Sequence, residues 1–257
     1  MSSLTATASS SAQKLTAKVA LVTGGSRGLG AAIAQRLASD GAAVAITYTS
    51  SPDKAAEVVR SIEAAGGRAL AIRADSADPE AVKAAVTETV AKLGRLDILV
   101  NNAGVLTIAP IDQFSLEDFD RTIAVNVRAV FVASQAAAAH LPQGGRIINI
   151  GSVNADYMPF AGGSVYALSK AAVAGFTRGL ARDLGPRGIT VNNVQPGPVD
   201  TDMNPASGAF ADGLKKIMAL GRYGRGEEVA GLVSYLAGPD GGYVTGASLT
   251  IDGGFAA

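Results

Sequence analysis

The chain has 257 residues, 48% of them hydrophobic, with no cysteine, no tryptophan and a formal net charge of zero. This length and apolar content allow one large α/β domain with a substantial buried core, or at most two small ones. The absence of cysteine excludes a disulfide framework or thiolate metal site, and the lone histidine, His140, excludes a histidine-rich one. We therefore expect no metal. Balanced, dispersed charge argues against binding to nucleic acid or a membrane surface.

The first 13 residues are rich in serine, threonine and alanine and carry no charged side chain. They lack the basic start and apolar core of a signal peptide. No apolar run in the chain approaches the about 20 residues that a membrane-spanning helix requires. We therefore expect a disordered tail over residues 1–15, one domain over residues 16–257, and a cytoplasmic location.

Short runs rich in valine, isoleucine and leucine alternate with alanine-rich amphipathic stretches. This pattern, punctuated by proline and glycine, predicts strands at 18–23, 43–48, 68–73, 96–101, 146–151, 189–194 and 247–251. It predicts helices at 29–39, 52–65, 79–93, 116–140, 164–184 and 227–237. Such alternation indicates an α/β protein with a doubly wound, seven-stranded parallel sheet and helices on both faces.

A glycine-rich turn joins the first predicted strand to the first helix, with the sequence Thr23-Gly24-Gly25-Ser26-Arg27-Gly28-Leu29-Gly30. Glycines allow a sharp turn and a close approach of the backbone to a pyrophosphate, and the helix N-terminus supplies N–H donors. The spacing differs from the common Gly-x-Gly-x-x-Gly, and glycine turns also occur without a ligand. The position between strand and helix nevertheless predicts a dinucleotide site.

The end of the second strand indicates which dinucleotide binds. NAD sites usually place an acidic residue there for the ribose hydroxyls. This strand ends Tyr48-Thr49-Ser50-Ser51, and the first acid is Asp53. Hydroxyls accept a 2′-phosphate that a carboxylate would repel, and Arg27 can pair with it unless it is only a solvated loop charge. These features favour NADP over NAD.

Tyr166 and Lys170 lie four residues apart on a predicted helix, so their side chains share one face. A nearby ammonium favours the phenolate, and we expect the pKa of Tyr166 to fall below its ordinary value of about 10. Such a tyrosine can give a proton to a carbonyl oxygen as hydride reaches the carbon. Ser152 ends the fifth strand, at the ligand-binding edge, and can donate to the same carbonyl. Alone, such a serine or Tyr-x-x-x-Lys pair is usually structural.

Two asparagine features complete the predicted centre. Asn101-Asn102-Ala103-Gly104 ends the fourth strand at the same edge, where Gly104 lets a nicotinamide ribose approach. Asn126 lies in mid-helix, where asparagine has poor helix propensity. It indicates either a buried polar role, such as holding a water in a proton relay, or a hydrogen bond to neighbouring backbone.

These motifs, in this order, resemble the short-chain dehydrogenase/reductase family over residues 16–257, with the family's Pro-Gly after the sixth strand at Pro196-Gly197. The resemblance implies a single Rossmann-type domain and hydride transfer from the 4-pro-S face. It also implies a catalytic set: a tyrosine that donates the proton, a lysine that lowers its pKa and binds ribose, a serine that orients the carbonyl, and an asparagine that helps hold a relay water. These residues are Tyr166, Lys170, Ser152 and Asn126.

The resemblance also extends the cofactor site. Asp75 and Ser76 would flank the adenine, and Thr201 would contact the nicotinamide carboxamide. The residues expected to bind the cofactor are Gly24, Ser26, Arg27, Gly28, Leu29, Gly30, Tyr48, Thr49, Ser50, Asp75, Ser76, Asn102, Ala103, Gly104, Tyr166, Lys170, Pro196, Gly197, Val199 and Thr201.

Residues 196–220 are punctuated by glycine and proline, and we expect them to form a mobile substrate lid at the carboxyl edge of the sheet. Candidate substrate residues, unless some only pack the lid, are Asn154, Tyr157, Met158, Phe160 and Met203. Their mixture suggests a mainly apolar carbonyl substrate. The alanine-rich helices at 116–140 and 164–184 permit close packing, and family members usually form tetramers through them, which implies a homotetramer.

Within the family the chain is similar to 3-oxoacyl-carrier-protein reductases and broad-specificity ketoreductases. This predicts NADPH-dependent reduction of a ketone or 3-oxoacyl substrate to a secondary alcohol, reversible as an alcohol dehydrogenase. Residues 151–156, 195–205 and 251–257 also resemble a bacterial subgroup of cyclic-di-GMP-binding biofilm dispersal mediators. A cyclic-di-GMP-binding regulatory protein is therefore the alternative. A third possibility is an oxidising sugar or polyol dehydrogenase, against which the NADP preference argues.

Overall fold

The structure, a computed structural model, describes residues 13–257. Seven strands, all paired in parallel, form one sheet. They are β1 Val19–Val22, β2 Ala43–Tyr48, β3 Arg68–Arg73, β4 Ile98–Asn101, β5 Arg146–Ile150, β6 Thr190–Pro196 and β7 Ser248–Ile251. Their order is β3-β2-β1-β4-β5-β6-β7, so the chain reverses its direction of progress between β1 and β4. Ligands of such sheets bind at this switch point, beyond the carboxyl ends of the strands.

Eight α-helices accompany the strands in this part of the chain. They are α1 Gly28–Ser39, α2 Pro52–Ala64, α3 Pro79–Leu93, α4 Leu116–Ile123, α5 Ala129–Ala138, α6 Ser164–Leu184, α7 Ala209–Ile217 and α8 Gly226–Ala237. The predicted sheet and its flanking helices are confirmed, with element ends within two residues of prediction. None of these helices is long and apolar enough to cross a membrane.

Local sequence signals explain the helix ends. In α3 the Asp78 side chain accepts a hydrogen bond from the Glu80 amide at 2.9 Å, and Pro79 occupies the first turn. Gly94 ends the helix in the left-handed conformation, with φ of 89°. These caps satisfy backbone groups that a helix otherwise leaves without partners.

Two apolar layers enclose the sheet. Leu37 of α1 and Val233 of α8 belong to the layer on one face, with α2 beside them. The opposite layer contains residues of α3, α5 and α6. Along β1, Val22 faces the first layer and Leu21 the second, because side chains of a strand alternate. The packed layers hold the carboxyl ends of β1, β4 and β5 in one place.

Three expectations about chain segments are corrected. The disordered tail was expected to reach residue 15, but Leu15 is buried and its amide donates to the Asp40 carbonyl at 2.8 Å. The rest of that tail, residues 1–12, lies outside the described residues. The lid segment contains a helix, α7, that the sequence analysis missed. Finally, the long helix at 116–140 is interrupted by a π-helical turn, Ala124–Arg128.

Candidate active site

A cleft of about 800 Å³ lies along the carboxyl edge of the sheet. It extends from the glycine turn after β1, past the ends of β4 and β5, to the lid segment that follows β6. Every residue expected to bind the cofactor lines this cleft. The cleft therefore brings together motifs that are as far apart as Gly24 and Thr201 in the sequence.

The glycine turn has the geometry of an anion site. Gly24 and Gly28 have positive φ angles of 65° and 53°, which favour glycine. A Cβ at Gly30 would collide with the Gly24 carbonyl. At the start of α1, Arg27 provides no side-chain cap, and no acidic residue lies in the first turn. Since no side chain caps them, the first N–H groups of α1 are available as hydrogen-bond donors. They favour a negatively charged group in the cleft, such as a pyrophosphate.

Asn102 and Thr23 fix the glycine turn to the end of β4. The Asn102 side chain donates to the carbonyls of Thr23 and Gly24 at 2.9 and 3.1 Å. The Thr23 hydroxyl accepts from the amides of Asn102 and Ala103, both at 3.0 Å. Thr47, which the sequence analysis missed, accepts from the Gly24 amide at 3.0 Å. The sequence signal that could have identified Thr47 is a threonine within an otherwise apolar stretch of β2.

The adenine end of the cleft carries hydroxyls and a cation where NAD sites carry an acid. Arg27, Tyr48, Thr49 and Ser50 line it, whereas Asp53 lies on α2 and does not. Asp75 lines the cleft beyond β3, and its carboxylate accepts from the Ala77 amide at 2.9 Å. The charge at the end of β2 therefore suits a 2′-phosphate.

Buried amides hold β4 and β5 together beneath the cleft. The Asn101 side chain donates to Asn149 Oδ1 at 2.8 Å and lies 3.1 Å from the Ser134 hydroxyl. Asn149 in turn donates to the Thr177 hydroxyl at 2.9 Å. Since the side chains of Asn101 and Asn149 are buried, these bonds tie the sheet to α5 and α6.

Tyr166, Lys170 and Ser152 meet at the floor of the cleft. Lys170 is only 5% exposed, and its ammonium donates to the Ile150 carbonyl at 2.9 Å. Its Nζ lies 5.6 Å from the centroid of the Tyr166 ring. Burial lowers the pKa of Lys170 to about 8. Ser152 is buried as well, and its hydroxyl accepts from the Asn154 amide at 3.1 Å.

The expected fall in the pKa of Tyr166 is wrong. Burial disfavours the phenolate and raises the pKa of Tyr166, and the nearby Ser152 hydroxyl lowers it by less. The Lys170 ammonium, whose Nζ lies 5.6 Å from the ring centroid, does not offset this effect of burial. Tyr166 therefore stays a protonated phenol at neutral pH, as a proton donor must.

Asn126 lies in the π-helical turn, is buried, and does not line the cleft. Its side chain accepts from the Val105 amide at 2.8 Å and donates to the Val105 carbonyl at 2.9 Å. It also donates to the Ser169 hydroxyl at 3.1 Å. Of the two roles left open by the sequence, these contacts favour binding to backbone, here of the loop after β4. A Cβ on Gly104 would lie 3.5 Å from Asn126 Oδ1 and 3.7 Å from Lys170 Nζ.

The remaining part of the cleft is mainly apolar. Of the five predicted substrate residues, Asn154, Phe160 and Met203 line it. The structure corrects the other two. Tyr157 packs its ring against Phe255, with centroids 5.6 Å apart, and Met158 packs beside Gly163. Apolar residues that the sequence analysis missed also line this part, namely Val105, Leu106, Ile108, Val125, Phe210, Leu214 and Phe255.

Phe210 and Leu214 belong to α7, so the missed helix contributes part of this wall. Phe160 and Phe210 contact edge to face, with centroids 5.6 Å apart. Ala211, Leu214 and Met218 are buried at helical spacing, and this periodicity was the signal that could have revealed α7. Among residues 13–257 no group of three or more His, Asp or Glu side chains is placed to hold a metal.

Two curated proteins align with nearly the whole chain. It is 50% identical over 242 residues to the cyclic-di-GMP-binding biofilm dispersal mediator protein of Escherichia coli K12, covering 94% of this chain and 98% of that protein. It is 42% identical over 243 residues to a 3-oxoacyl-[acyl-carrier-protein] reductase of Synechocystis, covering 93% and 97%.

Solved structures match the fold as well. A short-chain dehydrogenase/reductase from Serratia marcescens has a TM-score of 0.94 at 63% identity, covering 95% of this chain and 100% of that one. A short chain dehydrogenase from Burkholderia cenocepacia, solved in complex with NADP, has a TM-score of 0.94 at 59% identity with the same coverage. NADP is also the cofactor that the sequence predicts. The family model for short chain dehydrogenases matches residues 18–211. The chain belongs to the short-chain dehydrogenase/reductase family.

Proposed function

We propose that this protein is an NADPH-dependent carbonyl reductase that converts a ketone or 3-oxoacyl substrate into a secondary alcohol, and that it also runs in reverse. The observation that carries this proposal is the meeting of Ser152, Tyr166 and Lys170 on the floor of one cleft. A protein that only binds a nucleotide does not need a buried proton donor, its ammonium and a hydroxyl in that arrangement.

NADPH supplies the hydride when it is bound. The open amides at the start of α1 suit its pyrophosphate, and Arg27 with the hydroxyls after β2 suits its 2′-phosphate. The NADP complex of the Burkholderia cenocepacia relative supports this choice. Asp75 and Ser76, which line the cleft, would flank the adenine, and Thr201, which lies beside Gly28, would contact the nicotinamide carboxamide.

The residues of the chain perform the proton chemistry. Tyr166 gives its phenolic proton to the carbonyl oxygen, and its raised pKa keeps the proton in place until the oxygen becomes basic. Ser152 donates a hydrogen bond that orients the same oxygen. Lys170 spends one N–H on the Ile150 carbonyl, and its other donors are available to a ribose. Asn126 acts as a positioning residue, because it holds the Val105 backbone beside the cleft.

The substrate end of the cleft favours an apolar carbonyl compound. Ile108, Phe160 and Phe210 present apolar surface, and the polar residues Arg121, Asn154 and Asn204 also line the cleft. The name of the Synechocystis relative supports a 3-oxoacyl thioester as one candidate.

The test is NADPH consumption by the purified chain against a panel of ketones and one 3-oxoacyl thioester. We expect Tyr166→Phe to lower kcat by roughly 10²–10⁴-fold, since it removes the general acid. Tyr243→Phe is the matched control, because Tyr243 is fully exposed and lies outside the cleft. Turnover that survives Tyr166→Phe would contradict the assigned role of the tyrosine.

A cyclic-di-GMP-binding regulatory protein is the second candidate, supported by the name of the Escherichia coli relative at 50% identity. A cleft of about 800 Å³ is also large enough for a dinucleotide. Isothermal titration with cyclic-di-GMP, with and without NADPH, tests it. Binding that NADPH abolishes would assign cyclic-di-GMP to this cleft, whereas no binding would eliminate the candidate.

We also propose that residues 16–257 act as one domain that assembles into a homotetramer. Phe131 on α5 and Leu168 on α6 are 48% and 50% exposed, although both are large and apolar. The Phe131 and Phe176 rings are in contact across α5 and α6, with centroids 6.1 Å apart. An apolar face of this kind is suited to a subunit interface. Size-exclusion chromatography with light scattering that shows only monomer would contradict the tetramer.

A further inference from the structure

An ion pair joins the lid segment to α2 beside the cleft. Lys54, in the first turn of α2, places its Nζ 3.0 Å from Oδ2 of Asp202. The two side chains are 51% and 61% exposed, so the fold does not depend on burying them. Exposed ion pairs are weak, and an ammonium on a flexible stem can exchange partners at little cost.

The Asp202 carboxylate lies at the adenine end of the cleft. Asp202 lines the cleft together with Arg27, Ser50 and Ser51. Its neighbour Thr201 faces the glycine turn, since a Cβ on Gly28 would lie 3.6 Å from Thr201 Cγ2. Thr201 in the lid segment therefore lies directly over the loop that carries Arg27.

Two cations act on this carboxylate. Lys54 lowers the pKa of Asp202 most, and Arg27 lowers it further. The other aspartate in this part of the lid segment, Asp200, accepts from the Ala206 amide at 2.9 Å and so has a local structural role. In residues 13–257, the hydrogen-bond partner of the Asp202 side chain is Lys54. Asp202 is thus an anion paired with Lys54 and influenced more weakly by Arg27, which lines the same end of the cleft.

We propose that Asp202 competes with the 2′-phosphate of NADPH for Lys54 and Arg27, and that Lys54 is a determinant of the NADP preference. This inference rests on the proposed function, which assigns the 2′-phosphate to the same end of the cleft. NADH carries no 2′-phosphate, so its binding does not depend on which anion these cations hold. A carboxylate and a phosphate repel each other at close range. The Asp202 carboxylate therefore releases Lys54 when the 2′-phosphate of NADPH binds.

The experiment is a fluorescence titration of the full chain and its variants with NADPH and with NADH. We expect Asp202→Asn to tighten NADPH binding by about threefold to tenfold, the size of one interaction between surface charges in water, and to leave NADH unchanged. Lys54→Gln weakens NADPH binding by a similar factor without affecting NADH, and Lys54→Arg restores it. In the double variant, Asp202→Asn no longer gives its full gain, because Lys54 is gone.

The matched control is Asp212→Asn. Asp212 pairs with Lys215 at 3.0 Å on α7 of the same lid segment, and it does not line the cleft. We expect it to change neither affinity. Thermal melts of all variants exclude misfolding as the cause of a lost signal.

Other outcomes separate the two proposals. If Asp202→Asn weakens NADPH and NADH alike, the ion pair is a clasp that closes over either cofactor, and the competition is wrong. If Asp202→Asn changes neither affinity while the wild-type chain binds NADPH and turns over a ketone, the inference fails alone. If the wild-type chain binds neither dinucleotide, the proposed function fails first.

Discussion

At the amino edge of the sheet, just before β4, the Asp97 carboxylate is buried among partners that come entirely from the chain. Arg95 donates two hydrogen bonds to it, both at 2.7 Å, and Lys18 donates one at 3.2 Å. The Val19 amide adds a fourth at 3.0 Å. At the carboxyl edge, Ser152, Tyr166 and Lys170 are equally polar but face an open cleft.

The difference lies in how much hydrogen-bonding capacity each edge leaves for a ligand. Asp97 accepts from four donors, which matches the capacity of a carboxylate, so nothing is left to bind. Lys170 uses one of three donors on the Ile150 carbonyl. A buried charge stabilises a fold when it is fully partnered, and it serves a reaction when part of its capacity stays open.

The largest expected effect concerns the amino edge. Asp97→Ala leaves the Val19 amide without its side-chain acceptor and two cations without their carboxylate. We expect a loss of about 3 kcal/mol in the free energy of unfolding, at the low end for a broken buried pair because both cations can reach water. The rate per folded molecule should not change, since Asp97 lies far from the cleft.

Urea unfolding with a parallel assay of NADPH consumption measures both quantities. Asp240→Ala is the control, because Asp240 is exposed and has no ion-pair partner among residues 13–257. A large loss of turnover with unchanged stability would contradict this comparison, because it would give Asp97 a role in the reaction rather than in the fold.

The next effect concerns the stability that Lys170 contributes as a function of pH. Burial lowers its pKa from 10.5 to about 8, so between these values the unfolded chain binds more protons than the folded one. Stability therefore rises with pH in this window, by about 2 kcal/mol between pH 8 and 10. The pKa of Tyr166 is raised in the fold, so above its unfolded pKa of about 10 the unfolded chain loses a proton that the folded chain keeps. Tyr166 therefore opposes this rise in stability only above about pH 10.

Unfolding of the wild type and of Lys170→Met at several pH values measures this difference directly. We expect the wild type to gain stability relative to the variant as pH rises. Lys216→Met, a change of an exposed lysine on α7, should follow the wild type. A difference between wild type and Lys170→Met that stays flat with pH would show that the ammonium is well solvated at this edge.

Much of the site was predictable because its signals are local. The glycine turn requires particular φ angles, and Tyr166 and Lys170 are neighbours on any helix. Strand order then brings these motifs to one edge without further information. The sheet and the cofactor end of the cleft could therefore be predicted from short stretches of sequence.

Features that depend on burial or on distant contacts could not be predicted. The π-helical turn at Ala124–Arg128 has no local signature, although it places Asn126 against Val105. The pKa of Tyr166 follows from how the helices close around it. Tyr157 lies beside the predicted pocket in sequence, but it packs on Phe255 near the end of the chain.

The smallest expected effect concerns Thr47, a carboxyl-edge residue whose hydroxyl, like the Asp97 carboxylate, accepts a hydrogen bond from the chain itself. Thr47 is buried, and it accepts from the Gly24 amide at 3.0 Å within the glycine turn. Thr47→Val keeps the shape but removes the acceptor, so a backbone donor loses its partner.

We expect Thr47→Val to lose about 1 kcal/mol in stability, and to bind NADPH about fivefold more weakly because the turn is less fixed. The kcat at saturating NADPH should not change, since Tyr166 and Lys170 keep their contacts. Thr89→Val is the control, because Thr89 is a buried threonine of α3 that lies outside the cleft, where its hydroxyl donates to the Ala85 carbonyl at 2.7 Å. Weaker NADPH binding with unchanged kcat would show that a polar group at the carboxyl edge can support cofactor binding without taking part in the chemistry. A fall in kcat would instead place Thr47 in the catalytic apparatus and make the two edges differ more sharply than their hydrogen bonds indicate.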